Sequence, residues 1–176
     1  CGVIVPEGLL FGSTGAHREI RRQLIENNRI EAVMSLPGGV FQPYSGVKTS
    51  ILILDRAVAK TSEYVAFFKI ENDGFNLGAQ RRAQFGSELP QVKADLSAWL
   101  QAARTGGDAE IGSAIGSAVE RKTLAEGGEY NLSAERYQVK AKVERTWPMV
   151  SLGQLVKRVS GGTPSKGNPS FWEGNI

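Results

Sequence analysis

Short apolar runs alternate with one amphipathic stretch over the first 56 residues, and that alternation predicts strands packed around a helix. Val3-Ile4-Val5 is a β-branched run closed by Pro6, the pattern of a buried strand. After Gly12-Ser13-Thr14-Gly15 the spacing predicts a helix over residues 16–27. Ile20, Leu24 and Ile25 mark its apolar stripe, and Arg18, Arg21 and Arg22 face away from it. Ser13 or Thr14 serves as its cap, and Asn27-Asn28 ends it. Residues 30–36 read as a second strand, broken by Pro37-Gly38-Gly39. Thr49–Leu54 is a nearly continuous apolar run, as expected of a strand covered on both faces. Strand, helix, strand, loop, strand in this order belongs to an open α/β sheet.

The texture changes beyond residue 60. Residues 64–70 read as a strand, and Asp73-Gly74 as a tight turn from which Phe75-Asn76-Leu77 returns to form a hairpin. Residues 90–104 form a helix with Pro90 in its first turn and Val92, Leu96, Trp99 and Leu100 on one face. The simplest place for Trp99 is the core under that helix. Residues 105–117, rich in Gly, Ser and Ala, read as a flexible connection, and residues 140–145 as a charged linker or short helix. A new domain starts near Trp147. The partition is 1–60, 61–146 and 147–176. The chain opens inside a strand-like run without Met and ends without a polar tail, so the expectation is an internal fragment of a longer protein.

Composition narrows the chemistry. Of 176 residues, 41% are apolar and 22% charged, which is ordinary for a folded domain and excludes a wholly disordered or fibrous chain. No run approaches the ~18 apolar residues of a membrane helix. One Cys and one His exclude an internal disulfide and, by themselves, a zinc site, so the expected setting is the reducing cytoplasm and no metal is expected. The net charge of +3 is uneven. Residues 136–176 hold 7 Lys and Arg against 2 Asp and Glu, a net of +5, which leaves −2 for the remainder. A basic end on a mildly acidic body points to an anionic partner or to a solvated linker.

The candidate site is the loop Leu36-Pro37-Gly38-Gly39-Val40-Phe41-Gln42-Pro43, followed by Val47-Lys48-Thr49-Ser50. An apolar strand runs into a Pro-Gly-Gly turn, presents Phe41, and returns as the next strand. Such loops at strand ends of α/β sheets hold ligands, and an aromatic ring there can stack on a planar group such as a nucleobase. Packing of Phe41 beneath its own loop is the plainer alternative.

At these residues the sequence resembles a known family. Gly-Val-Ile-Val-Pro-Glu-Gly-Leu-Leu-Phe (2–11), Arg-Arg-Gln-Leu-Ile-Glu (21–26), Glu-Ala-Val-Met-Ser-Leu-Pro-Gly-Gly-Val-Phe (31–41) and Val-Lys-Thr-Ser-Ile-Leu-Ile-Leu (47–54) resemble the late part of N6-adenine DNA methyltransferases, specifically the modification subunit of type I restriction–modification systems. Tyr130-Asn131-Leu132-Ser133 with Arg136-Tyr137 resembles a phrase that follows the catalytic domain there. Val150-Ser151-Leu152-Gly153-Gln154-Leu155-Val156, then Ser160-Gly161-Gly162-Thr163-Pro164-Ser165-Lys166 and Phe171-Trp172, resembles the opening of a type I target-recognition domain.

The resemblance implies the C-terminal part of a Rossmann-like, S-adenosylmethionine-dependent methyltransferase sheet, mixed, with its last strand, Thr49–Leu54, antiparallel and paired against residues 30–36. A partly helical extension and the start of a recognition domain follow. It implies that Phe41, with Gly39 and Val40, binds an adenine flipped out of double-stranded DNA, because the exocyclic nitrogen is otherwise paired. Lys48 and Thr49 would contact DNA phosphate or the backbone of their own loop, and in the recognition segment Thr163, Ser165 and Lys166 would contact DNA. The family's glycine-rich cofactor loop and its Asn-Pro-Pro-Phe box do not occur in this sequence. The expectation is therefore that this fragment alone neither binds S-adenosylmethionine nor methylates DNA, although the whole protein is an enzyme acting with other restriction–modification subunits. The rival expectation is a non-catalytic DNA-binding or assembly module.

Overall fold

The computed structural model describes residues 1–27, 29–106, 111–138, 150–157 and 167. Two compact units divide the chain, Cys1–Lys140 and Ala141–Ile176. In the second, the described residues form one helical turn, α6 (Leu152–Leu155), which begins as the Gln154 N–H donates to the Ser151 carbonyl at 2.9 Å. Thr163, Ser165 and Lys166, the 140–145 linker and Trp147 lie outside the described residues.

The first unit is a five-stranded mixed sheet with helices on both faces. Its strands are β1 (Gly2–Pro6), β2 (Ile30–Ser35), β3 (Thr49–Leu54), β4 (Tyr64–Lys69) and β5 (Gly116–Glu120), in the spatial order β1-β3-β2-β4-β5. β3 runs antiparallel to β1 and to β2 and is inserted between them. The sheet does not end there, because β4 joins β2 in parallel and β5 joins β4 antiparallel. Strand alternation divides the core into two layers. Val33, Leu52, Val65 and Phe67 face α1 (Gly8–Phe11), α2 (Gly15–Glu26), α4 (Arg121–Ala125) and α5 (Ala134–Tyr137). Ala32, Met34, Ala66 and Phe68 face α3 (Leu89–Thr105) through Val92 and Trp99. Each large side chain so buried stabilises the fold by roughly 1.5–3 kcal/mol before entropy is counted.

The helix limits follow from local chemistry. Thr14 caps α2, its hydroxyl accepting from the His17 N–H at 3.3 Å. Pro90 occupies the first turn of α3, and Gly106 ends it at φ 72°, a left-handed conformation that glycine adopts without a Cβ penalty.

Several expectations need correcting. β1 is an edge strand in which only Val5 is buried, because it has one pairing neighbour and Val3 and Ile4 have no layer over them among the described residues. β3 is fully covered at Ser50 and Leu52 and half-covered at Ile51 and Ile53. On α2 the roles of two neighbours are exchanged: Ile20 is 45% exposed and Arg21 only 1%. Arg21 lies one turn from Ile25 and shares its inward face. There its guanidinium meets carbonyl oxygens of Leu9, Gly12, Glu129 and Tyr130 at 2.8–3.0 Å. His17 is half-buried against Gly12, where an added Cβ would lie 2.3 Å from its Nδ1. Phe75 does not return along β4. It bridges Ala83 within its own loop, and β4 takes β5 as its partner instead. Of the stretch expected to be flexible, Thr105 closes α3 and Gly116-Ser117 opens β5; residues 107–110 lie outside the described residues.

Behind the sheet, Glu31 is wholly buried at a break in the β2–β3 register, between the Ile30–Leu54 and Ala32–Ile53 pairs. Trp99 does belong to the core, and its Nε1–H donates to Glu31 Oε1 at 2.8 Å. Arg121 Nη2 approaches Glu31 Oε2 at 3.5 Å and donates to the Ile30 carbonyl at 2.7 Å.

Candidate functional site at the carboxyl edge of the sheet

β1, β2 and β4 are mutually parallel, since β1 and β2 both oppose β3 and β4 follows β2. Pairing of Pro6 with Thr49, and of Ser35 with both Ser50 and Lys69, gathers the carboxyl ends of all three at one edge. Ligands of α/β sheets bind at this edge. The loop of residues 36–48 rises from it.

Backbone hydrogen bonds shape that loop. Gly39 sits at φ 82° and its carbonyl accepts from the Gln42 N–H at 3.0 Å. The Phe41 carbonyl accepts from the N–H groups of Tyr44 at 2.9 Å and Ser45 at 3.0 Å. The positive φ is what calls for glycine at position 39; a Cβ there would meet the Leu77 carbonyl oxygen at 3.4 Å, an ordinary contact with a second loop. Val40 turns inward and packs against the α3-facing core. Phe41 is 36% exposed and Tyr44 is 94% exposed. The loop therefore offers two aromatic rings. Only Phe41 is expected from the sequence; Tyr44, three residues on in the same Gly- and Pro-rich segment, is the one that reasoning passes over.

Lys48 closes the loop and is held by two carboxylates. Its Nζ lies 2.6 Å from Glu135 Oε1 and 3.3 Å from Glu7 Oε2. Glu7, nearly buried at the end of β1, also accepts from the Ser35 hydroxyl at 3.4 Å, and its N–H donates to the Lys48 carbonyl at 3.0 Å. Burial opposes the Lys48 charge, but the Glu135 hydrogen bond and the Glu7 carboxylate outweigh it and hold the ammonium above its ordinary range. The Lys48 hydrogen bond in turn lowers the Glu135 carboxyl. Thr49 is less available to a ligand than its neighbour, because its hydroxyl oxygen is enclosed and without a partner. Phe41, Gly39, Val40, Lys48 and Thr49 thus converge on one edge. Lys48 spends its charge bracing the loop.

Glu135 comes from the far end of the unit. The Leu132 N–H donates to the Leu10 carbonyl at 2.9 Å, and the Tyr137 ring packs on Phe67 at a 45° tilt with centroids 4.7 Å apart. These contacts seat α5 beneath the loop. Neither Glu7 nor Glu135 is legible as part of the site from spacing. Replacing Lys48 with methionine leaves Glu7 unpaired and nearly buried, and is expected to cost about 1–2 kcal/mol after discounting for the lysine's partial exposure. Urea denaturation checks it; a change below about 0.3 kcal/mol contradicts the brace.

The family model for N-6 DNA methylases matches residues 1–146. The chain belongs to the N-6 DNA methylase family. A curated relative, the type I restriction enzyme EcoEI methylase subunit of Escherichia coli, is 41% identical over 54 residues, 31% of this chain and 11% of that protein. A type I restriction-modification methyltransferase subunit from Streptococcus thermophilus superposes with a TM-score of 0.55 at 23% identity, over 78% of this chain and 26% of its own. A chain from a type I restriction-modification complex, solved in a study of its assembly and conformational transition, gives 0.59 at 24% identity, over 88% and 31%. These two likenesses concern the fold, a mixed α/β sheet. The chain spans about a tenth of the curated relative and under a third of either solved chain. Among the described residues no helix is long and apolar enough to cross a membrane, and no group of acidic, His and Cys side chains is placed to hold a metal.

Proposed function

We propose that this chain supplies the target-base half of an adenine-N6 DNA methyltransferase of a type I restriction–modification system. The observation that carries the reading is the position of Phe41. It stands part-exposed on a hydrogen-bonded loop at the carboxyl edge of three parallel strands, beside the inserted antiparallel strand β3. Phe41 stacks on an adenine extruded from the duplex, with Gly39 and Val40 shaping the floor beneath it. Lys48, between Glu7 and Glu135, holds the returning arm of the loop, and Thr49 anchors it in β3.

S-adenosylmethionine supplies the methyl group when bound. The side chains at this edge do not make its pocket. Glu7 and Lys48 are committed to each other, and the sequence has no glycine-rich cofactor loop. Those contacts belong to another part of the complete enzyme, which works on double-stranded DNA beside other restriction–modification subunits. We assign residues 1–60 to the catalytic sheet, 61–146 to its extension and 147–176 to the start of a recognition domain. There Thr163, Ser165 and Lys166 approach DNA phosphates.

Transfer of labelled methyl groups from S-adenosylmethionine to duplex DNA by the complete enzyme tests this. Label is expected in N6-methyladenine, and Phe41→Ala is expected to weaken transfer by about 1–3 kcal/mol in kcat/KM. Label in a methylated cytosine, or a Phe41→Ala enzyme with unchanged kinetics, overturns the reading.

A further inference from the structure

Residues 71–88 form an irregular loop beside the Phe41 loop, and an ion pair organises it. The Arg81 guanidinium binds the Asp73 carboxylate, with side chains only 18% and 8% exposed. Arg81 Cζ also lies 5.4 Å from the centre of the Phe75 ring. A second guanidinium nitrogen, Nη1, donates to the Asn76 carbonyl at 3.3 Å. Arg81 keeps φ 42°, a conformation that costs a non-glycine residue energy and persists where the surroundings over-determine it. Those surroundings are dense. The Gln84 N–H donates to the Gly74 carbonyl at 2.7 Å, Asn76 and Arg82 exchange bonds at 2.9 and 3.0 Å, and Glu88 Oε2 accepts from the Asn72 N–H at 3.0 Å. Asn76, gripped by Arg81, precedes Leu77, whose carbonyl oxygen an added Gly39 Cβ would approach to 3.4 Å. The Asp73–Arg81 pair thus holds Asn76, and Leu77 next to it lies beside Gly39, two residues before Phe41.

We propose that Arg81, fixed by Asp73, is a positioning residue for the base-capturing loop. It holds Leu77 as a stop against Gly39, so that Phe41 is preset before the adenine arrives and need not be ordered by it. This rests on the reading of Phe41 given above. Arg81 itself touches neither base nor cofactor.

A double-mutant cycle in the complete enzyme separates this role from a general loss of structure. Arg81→Ala is expected to lower the single-turnover methylation rate roughly tenfold, the scale of a small misplacement at a reacting centre, with S-adenosylmethionine affinity unchanged. Adding it to Phe41→Ala should then cost almost nothing more. Arg81→Lys, which keeps the charge near Asp73 but not the forked geometry, should recover part of the loss. Should Arg81→Ala yield little folded enzyme, Asp73→Asn, which releases Arg81 at nearly constant side-chain size, carries the same expectation. Effects of Arg81 or Asp73 that multiply with that of Phe41→Ala, or a full rate in either single variant, overturn the proposal. A Phe41→Ala enzyme with unchanged kinetics overturns instead the reading beneath it.

Discussion

Replacing Arg21 with alanine is expected to destabilise the protein by about 3–5 kcal/mol, the range for breaking a buried, charged hydrogen-bonded arrangement. The guanidinium is wholly enclosed and donates to carbonyl oxygens of Leu9, Gly12, Glu129 and Tyr130. Burial draws its pKa below the ordinary arginine value, and the Glu129 carboxylate offsets part of this. Alanine would leave four main-chain acceptors without this donor and a cavity on the inward face of α2. Lysine repairs little, since one ammonium cannot reach two pairs of carbonyls on opposite sides. The damage extends to the site. Glu129 and Tyr130 begin the segment that delivers Glu135 to Lys48, so weakened loop bracing should accompany lost stability. Urea midpoints measure the first effect; a change under about 1 kcal/mol would contradict this role of Arg21.

The buried Glu31–Arg121 pair gives the second large effect. Arg121→Met is expected to cost about 3–5 kcal/mol by leaving the Glu31 carboxylate enclosed without its cation, and Glu31→Gln in the same chain should recover part of it. Glu31 also predicts an uncommon pH dependence. Burial raises its carboxyl above the ordinary range, despite the Trp99 hydrogen bond and the Arg121 charge. A carboxyl raised in the folded state favours folding in its protonated form. That contribution is complete below the unfolded pKa, about 4.3, and is lost as pH climbs through the raised folded value. Glu31→Gln cannot titrate, so its stability relative to the parent should increase with pH across that window. Parallel stability curves for the two proteins would contradict this.

Both effects arise from residues whose role is hard to read in the sequence. Hydrophobic pattern located α2, α3 and four strands to within a residue or two, because their apolar periods are set by local geometry. It misassigned Arg21 because an arginine at an inward position reads as polar until four carbonyl oxygens, two of them more than a hundred residues away, converge on it. The pairing of β4 with β5 rather than with Phe75-Asn76-Leu77 is equally nonlocal: Gly116–Glu120 has little strand character of its own and is recruited by Val65 and Phe67. At the site, the Phe41 loop was legible from Pro-Gly-Gly and one aromatic. Its supports, Glu7, Glu135 and Leu77, were not, since each comes from a separate segment. Tyr44, in the same loop, is the more exposed of its two rings.

That second ring makes the central claim testable in one step. A duplex carrying 5-iodouracil at the target adenine is irradiated on the complete enzyme, and the cross-linked peptide is sequenced by mass spectrometry. An adduct on Phe41 is the predicted result. An adduct on Tyr44, or on a residue away from the 36–48 loop, would contradict the assignment of this chain's edge loop as the place where the flipped base is held.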